Sequence, residues 1–185
     1  MKASRLIVLT LLATVACARG GQNAQRDGST ARLEFVAADG SRLSEDVQAE
    51  ILAVRTATAR FQEQAIAVAA GWSEQFPEGC MASNRGAQGF HYLNPALVDT
   101  VVDANTPELV MYERRDDGTM ELVGVEYIVP LDQWHGDTPP TLFGQPFGRN
   151  DKFGIWALHI WAFRSNSSGA FAPWNPNVRC PAAQS

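Results

Sequence analysis

The amino-acid sequence predicts an α+β fold in which one long amphipathic helix packs on a small antiparallel β-sheet and a disulfide closes the domain. Three observations lead to this prediction. The first half of the chain carries an apolar stripe with helical spacing, the middle has the pattern of a β-hairpin, and two cysteines bracket most of the region that can fold.

The helix is expected to begin after Ser44, a good N-cap, because Glu45 and Asp46 then place negative charge at the positive end of the helix dipole. A short strand over residues 33–36 precedes it. Apolar or small residues recur at alternating spacings of four and three, as on one helix face. They are Val47, Ile51, Val54, Thr58, Phe61, Ala65, Val68 and Trp72. With Gly71 as a natural stop, the pattern predicts one continuous helix with a core-facing stripe.

Three later segments have β-strand patterns. Residues 108–114 and 119–129 flank an Asp-Gly pair that suits a hairpin turn. Residues 153–164 are rich in aromatic and β-branched side chains, as is typical of a buried strand. Residues 76–89, dense in Gly and Pro, are predicted to be a loop. Residues 132–150 form a second long loop, of a length that is usually functional or covering.

The N-terminus has the three-part layout of a secretory signal peptide, with a basic region, an apolar run and small residues. The apolar run, residues 6–15, is too short for a bilayer span of about 20 residues. The residues that end in Cys17 resemble a bacterial lipobox, in which this cysteine becomes the lipidated N-terminus, although Thr14 stands where leucine is usual. The alternative is ordinary cleavage near this point.

These patterns divide the chain into three parts. Residues 1–17 are a signal peptide of lipoprotein type, residues 18–31 a flexible tether of polar composition, and residues 32–185 a single α+β domain. The net charge of -5, with no basic cluster, argues against a nucleic-acid partner. We therefore expect an exported protein, periplasmic or extracellular, that touches the membrane only through an N-terminal lipid. A small molecule or an envelope protein is the expected partner.

The cysteine count favours the same compartment. If Cys17 carries lipid, Cys80 and Cys180 remain as an isolated pair, and such a pair in an exported protein predicts a disulfide. The alternative is two unrelated free thiols. A free mature Cys17 would make the count odd and weaken both predictions.

Two polar residues lie where burial is expected. His159 is in the middle of the last predicted strand, where alternation places it on the side of Ile155 and Trp161 and both faces are apolar. Glu126 is the only charged residue in the strand segment 122–129. Because an ionised carboxylate inside a sheet is costly unless it is paired or bound to a cation, these two residues need partners. His91, just after a glycine-rich loop, is the third candidate.

A divalent transition metal, zinc or similar, held by His91, Glu126 and His159 is the most specific hypothesis, since two imidazoles and one carboxylate suit such an ion and leave an open position. Glu113, at the end of the facing hairpin strand, is the reserve ligand. The alternatives are a buried hydrogen-bonded network without chemistry, and metal-free acid–base catalysis. His135, in the long loop, is expected at the surface or in a lid.

Other chemistry has little support in the sequence. There is no GxSxG elbow for a nucleophile and no phosphate-binding loop. An enzyme would therefore perform hydrolytic or redox chemistry at the metal, with Glu126 or a metal-bound water as the base and the 132–150 loop as a lid. The rival hypothesis is a non-enzymatic envelope protein that binds a small apolar ligand or a protein partner through an aromatic pocket, with Glu126 paired to an arginine.

The second half of the chain also contains a set of short motifs. They are GFHYLNP at residues 89–95, VEY at 125–127, LFGQPF at 142–147, LHIW at 158–161 and WNPNVRC at 174–180. In combination they resemble a family of uncharacterised secreted bacterial proteins, over residues 56–180. The resemblance implies export and a shared site around His91, Glu126 and His159, and it implies no particular reaction.

Overall fold

The computed structural model describes residues 35–181. The predicted signal peptide (1–17), its lipidation residue Cys17 and the tether (18–31) lie outside the described residues. Of the strand predicted over residues 33–36, the described part is an isolated bridge between Val36 and Arg42. None of the helices within the described range has the length and apolar character needed to cross a membrane.

The helical region begins where the sequence predicts and then breaks. Helix α1 spans Glu45–Thr58, and its N-cap Ser44 accepts a hydrogen bond from the Val47 amide. A 3₁₀ turn, Ala59–Gln62, continues it, and after extended backbone at Glu63 a short helix α2 spans Gln64–Ala69. The prediction of one continuous helix is therefore wrong.

The break has a physical cause in the packing. The buried Tyr112 hydroxyl donates a hydrogen bond of 2.6 Å to the Phe61 carbonyl, which a continuing α-helix would use for its own ladder. The interruption also shifts the phase of the apolar stripe. Ala67 and Trp72 are buried after it, whereas Val68, which the regular spacing would bury, is 41% exposed.

Within the described residues eight strands follow: β1 Glu74–Ser83, β2 Gly86–Leu93, β3 Leu109–Arg114, β4 Met120–Pro130, β5 Thr141–Leu142, β6 Gln145–Pro146, β7 Gly148–Asn150 and β8 Ile155–Ile160. Six of them form one curled antiparallel sheet in the order β1-β2-β3-β4-β8-β7, while β5 and β6 form a separate hairpin. The predicted hairpin is confirmed as β3 and β4, and the last predicted strand as β8. The α+β class is confirmed, but the sheet is six-stranded and not small.

The predicted loop over residues 76–89 is wrong, since most of it belongs to the β1-β2 hairpin. Its glycines hid the strands from the sequence pattern. Gly79, Gly86 and Gly89 have positive φ values, and the pairing of β1 with β2 is twice irregular, so the side chains do not alternate regularly. Backbone pairing, rather than an apolar pattern, holds this edge of the sheet.

The two faces of the sheet have different cover. Phe90, Tyr92 and Val125 point into the main core, which also contains the buried helix residues Ile51 and Phe61. Successive side chains of a strand point to opposite faces, so the residues between them lie away from the helices. The C-terminal segment, residues 165–181, contributes Val178 to that second face, where it packs in a cluster with Met111 and Val123.

The C-terminal segment is fastened at two points. Asn175 is fully buried and bridges to Ala87 of β2 through two backbone hydrogen bonds of 3.1 Å. Five residues later, Cys180 forms a disulfide with Cys80 of β1. The predicted disulfide is thus confirmed, and it indicates a compartment outside the reducing cytoplasm.

Candidate metal centre

The sheet brings His91, Glu126 and His159 together on the face away from the helices. Glu126 of β4 and His159 of β8 are directly opposite each other in the antiparallel pairing. His91 lies on β2, two strands from Glu126, with β3 between them. Three residues that are distant in the sequence therefore form one group because the strand order is β2-β3-β4-β8.

A glycine in β4 makes room for this approach across β3. Met111 of β3 is the pairing partner of both His91 and Gly124. Because Gly124 has no side chain, the Met111 side chain packs over it, with Cε only 2.7 Å from the position that a Cβ would take.

The distances within the group do not fit ordinary hydrogen bonds. His91 Nε2 lies 3.4 Å from Glu126 Oε2, and His159 Nε2 lies 3.4 Å from Glu126 Oε1. Charge-assisted hydrogen bonds measure about 2.7–2.9 Å. Ligand atoms that share one tetrahedral zinc at about 2.0–2.1 Å lie about 3.3–3.4 Å apart. One ligand atom from each residue lies within 4.8 Å of the other two, so the group can hold a metal ion.

All three side chains are buried, and burial sets their protonation. His91 is 1% exposed, and both Glu126 and His159 are 7% exposed. Desolvation lowers the pKa of His91 to about 4, and desolvation together with the neighbouring His91 lowers the pKa of His159 to about 3. Desolvation, aided by the charge of Glu108, raises the pKa of Glu126 to about 8. At neutral pH the metal-free group is therefore uncharged, with both imidazoles ready to act as ligands.

Two nitrogen atoms of the group are left without hydrogen bonds. They are His91 Nδ1 and His159 Nε2, both fully buried. The main chain of Gly89 favours the protonated form of His91 and so weakly opposes the lowering of its pKa by burial. His91 Nδ1 nevertheless has no hydrogen-bond partner. Buried polar atoms without partners cost about 1–3 kcal/mol each, and His159 Nε2, which faces Glu126, is the one that an ion shared with this carboxylate would satisfy.

The group faces a cavity of about 340 Å³. The apolar side chains of Phe76, Phe153, Ile155 and Trp174 also line it, together with the polar side chains of Gln88, Asn150 and Lys152. In the part of the chain that the structure describes, no fourth His, Cys, Asp or Glu joins the group. A metal held by three protein ligands at the wall of a cavity keeps open positions for water or a ligand.

The other predicted site residues lie elsewhere. Glu113 accepts hydrogen bonds from Arg164, at 2.7 Å, and from the Arg179 amide, at 2.9 Å, outside the cavity. His135 is exposed and does not line the cavity. The predicted loop over residues 132–150 contains the short strands β5, β6 and β7, and of it only Asn150 lines the cavity, whereas its aromatic residues pack in the core on the helix side.

Sequence reasoning missed two polar residues near the group. Glu108, 3% exposed, accepts a hydrogen bond of 3.0 Å from the Ile128 amide, and burial raises its pKa to about 7. Its position directly before a buried strand was the available signal. Gln88 lines the same cavity as His91, three residues away, although regular alternation would put them on opposite faces. Gly89, with a φ of 85° between them, shifts the alternation.

No match to the chain was found among protein-family models, curated proteins or solved structures. The resemblance to secreted bacterial proteins, inferred from short motifs, therefore stays a prediction. What the chain contains is a buried His-Glu-His group that can hold a metal, in a disulfide-closed α+β domain.

Proposed function

We propose that this protein is an exported domain that binds one divalent transition metal through His91, Glu126 and His159, with zinc as the expected ion. The observation that carries the proposal is the pair of 3.4 Å separations between imidazole nitrogens and the two carboxylate oxygens. They are too long for strong hydrogen bonds, each matches the spacing of two ligand atoms around a tetrahedral ion, and one ligand atom from each residue lies within 4.8 Å of the other two. Imidazole and carboxylate together suit zinc better than calcium or magnesium, which prefer oxygen ligands alone.

The competing hypotheses predict different surroundings for Glu126. A binding module without a metal was expected to pair this carboxylate with an arginine, and the structure pairs it with two histidines instead. A purely structural network would satisfy its members, and two nitrogens of this group have no partner. A cation at the centre would give His159 Nε2 the partner that it lacks and would also bind Glu126 and His91 Nε2; His91 Nδ1, on the other side of its ring, stays outside this interaction.

The ligand set also supports a role beyond stability. Structural zinc sites have four protein ligands, whereas sites with three protein ligands bind water or substrate at the open position. A zinc ion there would act as a Lewis acid toward whatever enters the cavity. Glu126, as a ligand, is then unavailable as a free base. Apart from the three proposed ligands, Lys152 is the one titratable side chain among the described residues that line the cavity.

The decisive experiment measures metal stoichiometry. Protein purified without a His tag and stripped with a chelator is reloaded with zinc sulfate, desalted and analysed for zinc and for chain concentration. We expect one zinc per chain in the wild type and a large loss in Glu126→Gln and in the His91→Ala, His159→Ala double variant. Glu113→Gln is the matched control, because its carboxylate is also buried but lies outside the group. Wild-type protein without zinc above background would refute the proposal.

The proposal includes export with a lipid on Cys17. It is supported by the signal-peptide layout of the N-terminus and by the disulfide between Cys80 and Cys180, which needs an oxidising compartment. The intact mass of protein isolated from cells that export it tests both points. A mature chain that begins at Cys17 and carries the mass of a diacylglycerol and an acyl group is expected, and a chain that retains residues 1–16 would refute export.

A further inference from the structure

The cavity beside the metal group is lined by residues of two chemical kinds. His91, Glu126 and His159 form one part of the lining, and most of the remaining lining is apolar, with Phe76, Phe153 and Trp174 as its aromatic residues. Phe76 of β1 and Phe153, just before β8, touch edge to face with ring centroids 5.5 Å apart. They pack against the buried cluster that contains Ile155, so this wall is continuous with the interior.

The charge of the cavity favours an anion. Glu126 is the only acidic residue among the described residues that line it. A divalent ion held by this carboxylate and two neutral imidazoles leaves a net charge of about +1 at the group. Lys152 adds a second positive charge at the exposed edge, where its ammonium lies 5.1 Å from the centroid of the Phe153 ring.

The size of the cavity restricts the ligand further. About 340 Å³ is at the lower end of the range for small-molecule pockets, about 300–1,000 Å³, and is too small for a folded partner or an extended peptide. An aromatic ring fits the Phe76–Phe153 wall because aromatic pairs gain energy beyond their buried area. The open metal positions require an oxygen or nitrogen donor on the same molecule.

We propose that the cavity binds a small aromatic acid, with its anionic oxygen donors on the metal and its ring against Phe76 and Phe153. This assignment rests on the proposed metal site and adds the class of ligand that the site takes. Lys152 contributes charge at the entrance, and the aromatic wall selects a ring over a small aliphatic group.

Two hydroxamic acids with the same metal-binding head test the assignment. Isothermal titration of the zinc-loaded chain with benzohydroxamate and with acetohydroxamate compares a ring with a methyl group. We expect benzohydroxamate to bind about ten- to hundredfold more tightly, as burial of a ring predicts. In Phe153→Ala this preference should shrink to about threefold or less, while acetohydroxamate affinity and one zinc per chain are retained.

Two further variants complete the test. Lys152→Ala, at an exposed position, should weaken both hydroxamates by about two- to fivefold and leave their ratio unchanged. Phe171→Ala removes an aromatic side chain outside the cavity and should keep the preference. Zinc at one per chain with equal affinity for both hydroxamates, or equal loss of preference in Phe153→Ala and Phe171→Ala, would overturn the ligand assignment and leave the metal site standing. Absence of zinc from the wild type would overturn the metal site itself.

Discussion

Zinc binding should release about one proton per ion, and the source of that proton is Glu126. The carboxyl group has a pKa of about 8, so it is about 90% protonated at pH 7 and must ionise to act as a ligand. His91 and His159, with pKa values of about 4 and 3, are already neutral and release almost nothing above pH 5.5. Zinc affinity should accordingly rise about tenfold per pH unit up to about pH 8.

The assay is calorimetric titration of zinc in buffers of different ionisation enthalpy, since the heat then depends linearly on the number of protons released. The pKa values shifted by burial predict the release of about one proton at pH 5.5. They predict the same number or slightly more at pH 7, where a metal-bound water with a pKa of about 7 releases a further fraction of a proton. Ordinary pKa values predict about two protons at pH 5.5, mostly from the two histidines, and about one or fewer at pH 7. A release that falls by half or more between these pH values would refute the reasoning.

Three further outcomes follow from the packing. The Cys80→Ser, Cys180→Ser double variant should lose up to about 4.7 kcal/mol in urea unfolding, the chain-entropy value for a loop of about 100 residues, and a loss under about 1 kcal/mol would contradict this. Gly124→Ala should destabilise by about 2 kcal/mol or more, because its Cβ would lie 2.4 Å from the Ile160 carbonyl oxygen; unchanged stability would show that the strands can separate there. Arg164→Ala removes a partner of the buried Glu113 carboxylate and should lower the free energy of unfolding by about 1–3 kcal/mol with zinc stoichiometry unchanged. Loss of zinc would contradict the placement of the Arg164–Glu113 pair outside the metal group.

The helical region shows where sequence patterns stop being sufficient. The cap at Ser44 and the stripe through Ile51 and Phe61 are local features, and the structure has them as predicted. The end of the helix depends on the hydroxyl of Tyr112, which comes from the sheet and takes the Phe61 carbonyl. No pattern within the helix contains that information, because the competing interaction is tertiary.

The prediction of a loop at the β1-β2 edge of the sheet was wrong for a different reason. Strands β1 and β2 are irregularly paired, and their glycines have positive φ values, so neither alternation nor apolar content marked them. The same irregularity at Gly89 places Gln88 in the cavity. Composition rich in Gly and Pro usually indicates a loop. Here the backbone hydrogen bonds of β1 to β2, and of β2 to β3, override that tendency.

By itself, the sequence determined that His159 and Glu126 are polar residues in apolar strands, that they need partners, and that Cys80 and Cys180 form a pair. These conclusions need only alternation, the cost of burying charge and the cysteine count. Tertiary structure alone decided that His91 completes the group, that Glu113 and His135 do not, and that an aromatic cavity opens beside it. The physical reason is that strand order and register set which distant side chains meet, and both arise from packing of the whole sheet.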